Sequence, residues 1–375
     1  MKLNSIQYTE YNGKPEEWRL ENCTLNEINL IVGKNATGKT RTLNAIATLT
    51  SLLAGEQRLT EHSGNFIAVF DNQGEEITYR LSFNDSKVIA EEVQQNQKIL
   101  LQRSANGTGK IWAEKLHDAI DFQPPPDELA VVNRRDPIQH PFLESFYQWG
   151  KSAKIFRFGT PMGQDCLAVS VFDLDKLNLK HSNKVVALFR NGQLNYGNDY
   201  VQRIIEDMRF CGYELADISI QSLVHFQANS NRTIINGIQL KETDLAAITP
   251  HSLISSGMFR ALSLFIQLNY ALMARLPSCI LIDDIGEGLD YSRSSQLIER
   301  LMSKVDGTQI QLIMSTNDQF VMDAVPLKYW LVIKRSSGTA SIYNSINSKK
   351  CVESFKLTGL SNFDFFSSNY YLKEE

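Results

Sequence analysis

INLIVGKNATGKTRTLNAIATL, residues 28–49, is the stretch whose reading decides the fold. The segment NEINLIVG has the continuous apolar character of a buried strand, and GKTRTLNAIATLTSLLA has the pattern of a helix packed behind it. Between them GKNATGKT, Gly33 to Thr40, satisfies G-x-x-x-x-G-K-[ST] in the strand–loop–helix context that this motif requires. A glycine-rich turn leading into a helix N-terminus directs several backbone N–H groups and the positive end of the helix dipole at one point, which suits phosphate. Gly33 and Gly38 allow the turn and the close approach. Lys39 is expected to reach the β- and γ-phosphates of ATP, and Thr40 to offer its hydroxyl to Mg²⁺. Nucleotide contacts are therefore expected from Gly33, Asn35, Ala36, Thr37, Gly38, Lys39, Thr40 and Arg41. A second stretch, NGTGKIW at 106–112, lacks both the full loop before Gly-Lys and the hydroxyl residue after it, and is expected to be a hairpin turn.

A second motif lies far downstream. CILIDDIGEGLD, Cys279 to Asp290, is an apolar strand that ends in two aspartates. A carboxylate at the end of a buried strand can complete a magnesium shell, which suits Asp283. The next carboxylate, Asp284, stands where a water-orienting base is needed. The competing explanation for the pair is turn capping ahead of Gly286 and Gly288; the phosphate loop upstream weighs against it. One helix earlier, LISSGMFRAL places Ser255 and Gly257 at a helix start, a second candidate anion site. IMSTND then ends the next strand and places Ser315, Thr316 and Asn317 near the phosphates.

Composition sets the background. Apolar residues are 43% of the 375 and charged residues 21%, as in a soluble globular chain with ample core. The net charge of −4 makes the surface as a whole no magnet for nucleic acid. The basic pairs Arg134–Arg135, Lys334–Arg335 and Lys349–Lys350 would form a groove only if folding gathered them. The cysteines Cys23, Cys166, Cys211, Cys279 and Cys351 are odd in number and without C-x-x-C spacing, so reduced thiols and a cytoplasmic location are expected. No signal core and no run of about 18 apolar residues is present, which argues against a membrane span.

The expected organisation is one α/β ATPase domain. Residues 1–120 carry the phosphate loop and an antiparallel β-meander made of NFIAVFD, EEITYRLSF, KVIAEEV and KILLQRS. Residues 121–249 form an insert with helices over PFLESFYQWGKSA and NDYVQRIIEDMRF, and a hairpin of ADISIQSLVHF with RTIINGIQL. Residues 250–345 hold the buried helix GMFRALSLFIQLNYALMARL and a strand–helix–strand pattern that implies parallel strands. Residues 346–375 include GLSNFDFFSSNYYL, too aromatic for a loose tail; it either docks on the core or forms a partner surface.

In this order the motifs resemble the ABC-type ATPases, and in particular the SMC/RecF/OLD-like branch of prokaryotic AAA-annotated proteins. INLIVGKNATGKT resembles that branch's Walker A, LISSGMFRAL its shortened signature, and ILIDDIGEGLD its Walker B and D-loop. The resemblance implies an ABC-type P-loop head with a mixed or parallel core sheet, an N-terminal antiparallel meander and a helical lobe. It implies that Lys39 and Thr40 bind phosphate and magnesium, that Asp283 supports the metal, and that Asp284 and Asn317 hold the catalytic and switch positions. It also implies a homodimer or higher oligomer closed through an ATP sandwich. There Ser255 and Gly257 contact nucleotide held by the other protomer, and Asp290 lies at the interface. Gln139 is a candidate for the magnesium-contacting glutamine of such proteins, and Trp18 is weighed between stacking on adenine and packing in its strand. Arg260 is split between structuring the signature helix and touching nucleotide.

Two departures point to slow turnover. Asp284 replaces the usual Glu and sets its carboxylate back by roughly 1–1.5 Å, and a misplacement of about 1 Å can cost ~100-fold. Asn317 replaces the usual His and cannot supply a titrating charge. Only 58 residues (375 − 317) follow Asn317, too few for a TOPRIM nuclease, so effector activity is expected on a separately encoded partner, with antiphage defence as the setting. The alternatives are a non-hydrolysing nucleotide-sensing scaffold and a DNA-repair or chromosome-maintenance ATPase.

Overall fold

The computed structural model describes residues 1–160, 164, 168–169, 183–222, 235–276 and 278–373. Along the chain run β1 (Lys2–Glu10), β2 (Trp18–Thr24), β3 (Ile28–Val32), α1 (Lys39–Leu53), β4 (Gly64–Asn72), β5 (Glu75–Asn84), β6 (Lys87–Gln95), β7 (Lys98–Arg103), β8 (Gly109–Ala113) and β9 (Asp118–Phe122). They are followed by α2 (Ala130–Asn133), α3 (Pro141–Ser152), β10 (Lys154–Arg157), β11 (Ala168–Val169), α4 (Val185–Phe210), β12 (Leu215–Ser222), β13 (Ile235–Glu242) and β14 (Thr249–Pro250). The last part comprises α5 (Ser256–Met273), β15 (Ser278–Asp283), α6 (Tyr291–Val305), β16 (Ile310–Thr316), α7 (Gln319–Ala324), β17 (Trp330–Ser336), β18 (Thr339–Asn344), α8 (Lys349–Lys356) and α9 (Asn362–Ser367). Two compact units divide the chain: Met1–Ala153, Gln311–Asn317 and Pro326–Glu375 in one, Lys154–Ile310 and Asp318–Val325 in the other.

The first unit is built on a sheet in which the strands lie in the order β16-β3-β17-β18-β2-β1-β4-β5-β6-β7-β8-β9. Its core is parallel, with β3 between β16 and β17, and both β3 and β16 are buried along their whole length. That is why these segments are largely apolar: both faces are covered. From β4 onward the strands are antiparallel and form the expected meander, which extends two strands further, through β8 and β9. Its buried face, read from the alternation in β4 and β5, receives α3: Phe70 meets Phe146 and Trp149 at 5.5 and 4.9 Å between ring centroids. The stretch 106–112 joins β7 to β8 through Gly107 at φ 84°, a hairpin turn. The aromatic C-terminus docks: Phe365 and Tyr371 are buried, with Phe365 against Trp330 and Tyr371 against Tyr343.

The second unit pairs β10 with β15 in parallel, with Arg157 level with Asp283, and forms a smaller antiparallel sheet from β11, β12, β13 and β14. The expected hairpin is the β12–β13 pair; its connecting residues 223–234 lie outside the described residues, as does Cys166. The other four cysteines are buried free thiols. Helix α5 is buried almost all round, as its apolar sequence requires, whereas α6 buries a single stripe, Ser294, Leu297, Ile298, Leu301 and Val305. Each large aliphatic side chain of that stripe contributes about 1.5–3 kcal/mol by leaving water. Among the described residues no helix is long and apolar enough to cross a membrane.

Strand β10 carries a buried charge-bearing residue. Lys154 is 3% exposed, and among the described residues its ammonium donates a single long bond, 3.4 Å, to the Gln267 carbonyl of α5. Burial pushes its pKa from 10.5 down to about 7. Between those values the unfolded chain holds a proton that the folded chain has released, so this group makes stability climb with pH from about 7 to 10.5. Lys154→Met is therefore expected to stabilise the protein, on the order of a few kcal/mol at pH 6, with a gain that shrinks toward pH 10. Urea unfolding at the two pH values measures it; an equal effect at both would contradict the assignment.

Candidate nucleotide site

In the first unit the phosphate loop leaves the buried end of β3 and enters α1. Ala36 and Gly38 take the left-handed region at φ 63° and 111°, turning the loop back on itself, and Gly38 is the N-cap of the 15-residue α1. Lys39 is 6% exposed and its ammonium donates to the Gly33 carbonyl at 2.8 Å and the Lys34 carbonyl at 3.3 Å. The Thr37 hydroxyl donates to the Lys34 carbonyl at 2.8 Å. The loop rests on two side chains: a Cβ on Gly33 would fall 2.5 Å from Ile333 Cγ2, and one on Gly38 would fall 3.2 Å from Trp18 Cζ2. Trp18 is 1% exposed, so the packing role holds for it and its indole is no open stacking face. Arg335 donates to the Ala36 carbonyl at 3.3 Å. Asn317, exposed, follows the fully buried β16.

In the second unit Asp283 and Asp284 are half-buried at the end of β15, and Asp284 sits at φ 54°, left-handed without being glycine. Such a backbone costs about 1 kcal/mol or more and is found where the surroundings impose it. The loop beyond is held by the signature helix: Arg260 of α5 donates to the Glu287 carbonyl at 2.6 Å, and a Cβ on Gly257 would fall 2.6 Å from the Gly288 carbonyl. Arg260 thus structures this loop, while Glu287 itself is exposed. The Ser255 hydroxyl caps α5 by accepting from the Met258 N–H at 3.2 Å. Asp290 caps α6, accepting from the Arg293 N–H at 3.0 Å and pairing with its guanidinium at 2.9 Å; these bonds hold its carboxyl below the usual range.

Further placements bear on the expectations. Gln139 is bonded through its backbone to residues outside the motifs. It lies at the approach to α3, its carbonyl accepting from Glu114 and its amide N–H bonded to Asp136. The glutamine that the structure brings to a motif is Gln164, whose amide donates to the carbonyls of His251 and Ile254 at 3.3 and 2.6 Å, immediately before Ser255. Arg157, level with Asp283, was also missed, because a four-residue strand containing a buried lysine carries no apolar signature. The three basic pairs are not gathered into one groove. Arg135 pairs with Glu144, Arg335 serves the phosphate loop, and Lys349 pairs with Glu353 on α8.

No family model matches the sequence, and no curated protein matches it. Solved structures do. They include an SMC head bound to the C-terminal winged-helix domain of ScpA, at 11% identity and TM-score 0.52, covering 91% of this chain and 97% of that one. The SMC head domain from Thermotoga maritima is similar at 16% identity and TM-score 0.44, with 92% and 99% covered. An SMC head with an extended coiled coil, bound to the C-terminal domain of ScpA derived from Pyrococcus furiosus, follows at 10% identity and TM-score 0.47, with 95% and 99% covered. The first of these likenesses shows the fold. The large mixed sheet, with its parallel core and antiparallel meander, is that of an SMC head, an α/β head of the ABC ATPase type.

Proposed function

We propose that the chain is an ATP-binding, slowly hydrolysing ABC-type ATPase that works as an ATP-gated homodimer or higher oligomer and regulates a separately encoded effector. The observation that carries it is the closed phosphate loop, with Lys39 folded onto the Gly33 carbonyl above a helix N-terminus. A triphosphate would take the lysine from that carbonyl and gain the loop N–H groups and the helix dipole. Thr40 and Asp283 are hard oxygen donors, as magnesium requires, and among the described residues no cluster of three or more His, Cys, Asp or Glu forms a metal cage. That donor set suits a metal held largely by phosphate and water. Bound magnesium would neutralise charge building on the phosphates. Asp284 would orient the attacking water, and Asn317 would donate a hydrogen bond without charge.

Ser255 and Gly257, at the start of α5, would meet nucleotide carried by a second protomer, with Asp290 at that interface. Antiphage defence is the setting that the sequence resemblance favours. A second reading, a nucleotide-sensing scaffold without turnover, draws on the constrained backbone of the short Asp284.

Steady-state hydrolysis of MgATP is expected well below the ~10 per second of a typical enzyme and lost in Asp284→Ala. Light scattering should show a larger assembly with MgATP, retained in that variant. Unchanged background hydrolysis in Asp284→Ala supports the scaffold. A chain that stays monomeric in both proteins defeats the dimer switch.

A further inference from the structure

We infer that Arg41 is the stacking platform for the base of the bound nucleotide, an inference that rests on the phosphate-loop reading above. Arg41 lies in the first turn of α1, two residues beyond Lys39, and its guanidinium carbon is 4.6 Å from the centroid of the Trp18 ring. Its Nε and Nη2 donate to the same Glu10 oxygen at 3.1 and 2.6 Å. The other Glu10 oxygen is 3.1 Å from His62 Nε2, and Tyr11 stacks on the His62 ring at 4.5 Å. The guanidinium plane is thus set from two sides: an indole beneath it and a braced carboxylate at its edge.

Exposure shows which surface a ligand meets. Trp18 is 1% exposed, whereas the Arg41 side chain is 38% exposed. The indole is hidden, and the outermost layer of the stack is the guanidinium. The same indole also supports the phosphate loop, through its contact with Gly38. The flat cation and the phosphate cradle therefore share one support, and a nucleotide whose phosphates fill the cradle has its base one ribose away. The Trp18 indole N–H has no hydrogen-bond partner among the described residues, so the ring acts here by its face and edge alone.

Arg41 could instead grip a phosphate, but its geometry disfavours that. Side-on bidentate capture of an oxyanion uses the Nε–Nη2 edge, and here that edge is engaged by Glu10 while the Trp18 ring covers one face. Besides the donors at the Nη1 end, what is left is the outer face, and a desolvated face-on contact between a guanidinium and a π system is favourable whichever base it is. The ligand class is a purine or pyrimidine nucleoside triphosphate, with the base contributing affinity and little selectivity among bases.

Calorimetric titration of the full chain with MgATP and with magnesium tripolyphosphate separates base from phosphate. Wild type is expected to bind MgATP about tenfold more tightly. Arg41→Lys keeps the charge and its reach to Glu10 but loses the plane; MgATP affinity should fall about tenfold and tripolyphosphate affinity should hold. Glu10→Gln, which weakens the clamp, should lower MgATP affinity about threefold, again with tripolyphosphate unaffected. Equal losses for both ligands in Arg41→Lys would make Arg41 a phosphate ligand and overturn the inference, and so would no loss at all. Lys39→Ala should abolish both. If it leaves MgATP binding intact, the phosphate-loop reading itself fails, a result distinct from any obtained with Arg41.

Discussion

Gly33→Ala is expected to abolish MgATP binding, by about a hundredfold or more, and to cost about 1–3 kcal/mol of stability. The added Cβ would stand 2.5 Å from Ile333 Cγ2, 2.6 Å from Thr37 Oγ1 and 2.9 Å from the Ile333 carbonyl oxygen. A side chain can rotate away; the carbonyl cannot. Ile333 belongs to β17, which is paired on one side with β3 and on the other with β18. The sheet is therefore fixed and the loop has to lift. The carbonyl that receives Lys39 is that of Gly33 itself, so the displacement moves the origin of the lysine's anchor. Gly13→Ala is the control: Gly13 is left-handed, at φ 74°, and nothing lies within 4 Å of the new methyl. It should cost about 1 kcal/mol and leave binding intact. Urea unfolding and calorimetry on the two variants decide the matter; undiminished affinity in Gly33→Ala would refute the close approach.

Asp207→Ala is expected to destabilise the second unit by about 3–5 kcal/mol. Asp207 of α4 is fully buried and receives Arg300 Nε at 2.7 Å, Lys304 Nζ at 2.7 Å and the Asn269 amide at 2.6 Å. One carboxylate therefore ties α4 to α5 and α6 and faces two cations, of which Lys304 is only 14% exposed. Burial lowers the Lys304 pKa, and Asp207 is the main influence holding it up. Without Asp207 the ammonium falls further below its unfolded value. The folded state then binds fewer protons than the unfolded state over a wider range, and stability rises with pH across it. The deficit of Asp207→Ala relative to wild type should therefore be smaller at pH 10 than at pH 7. Asp207→Asn, which keeps the shape and loses the charge, should fall between the two. A loss below about 1 kcal/mol in the alanine variant, the level of an exposed pair, would show that the cluster is not the buried tie described.

The elements legible in the sequence are those whose signal is local. The G-x-x-x-x-G-K-T motif was readable because it is a set of particular residues at fixed spacing, and α6 because its buried positions recur every three to four residues. The β4–β5 alternation was readable because only one face is covered. Strand β10 was hidden by Lys154, since a buried lysine looks like a surface residue until its burial is seen. Gln139 was considered and Gln164 was not, because nothing local distinguishes one glutamine from another. The partners of Gln164 are carbonyls 87 and 90 residues away, and a carbonyl has no residue identity for a pattern to find.

By itself the sequence determined the fold class, the motif order and which residues have the chemistry for phosphate and magnesium, because those follow from residue type and short-range spacing. Only the tertiary structure decided that Trp18 is covered, that Arg41 is the layer above it, that Arg260 clamps the Glu287 carbonyl and that Asp207 joins three helices. The reason is physical. Burial, a ring's free face and the target of a backbone-directed hydrogen bond are set by which distant segments pack together, and packing depends on the whole chain rather than on any one stretch of it.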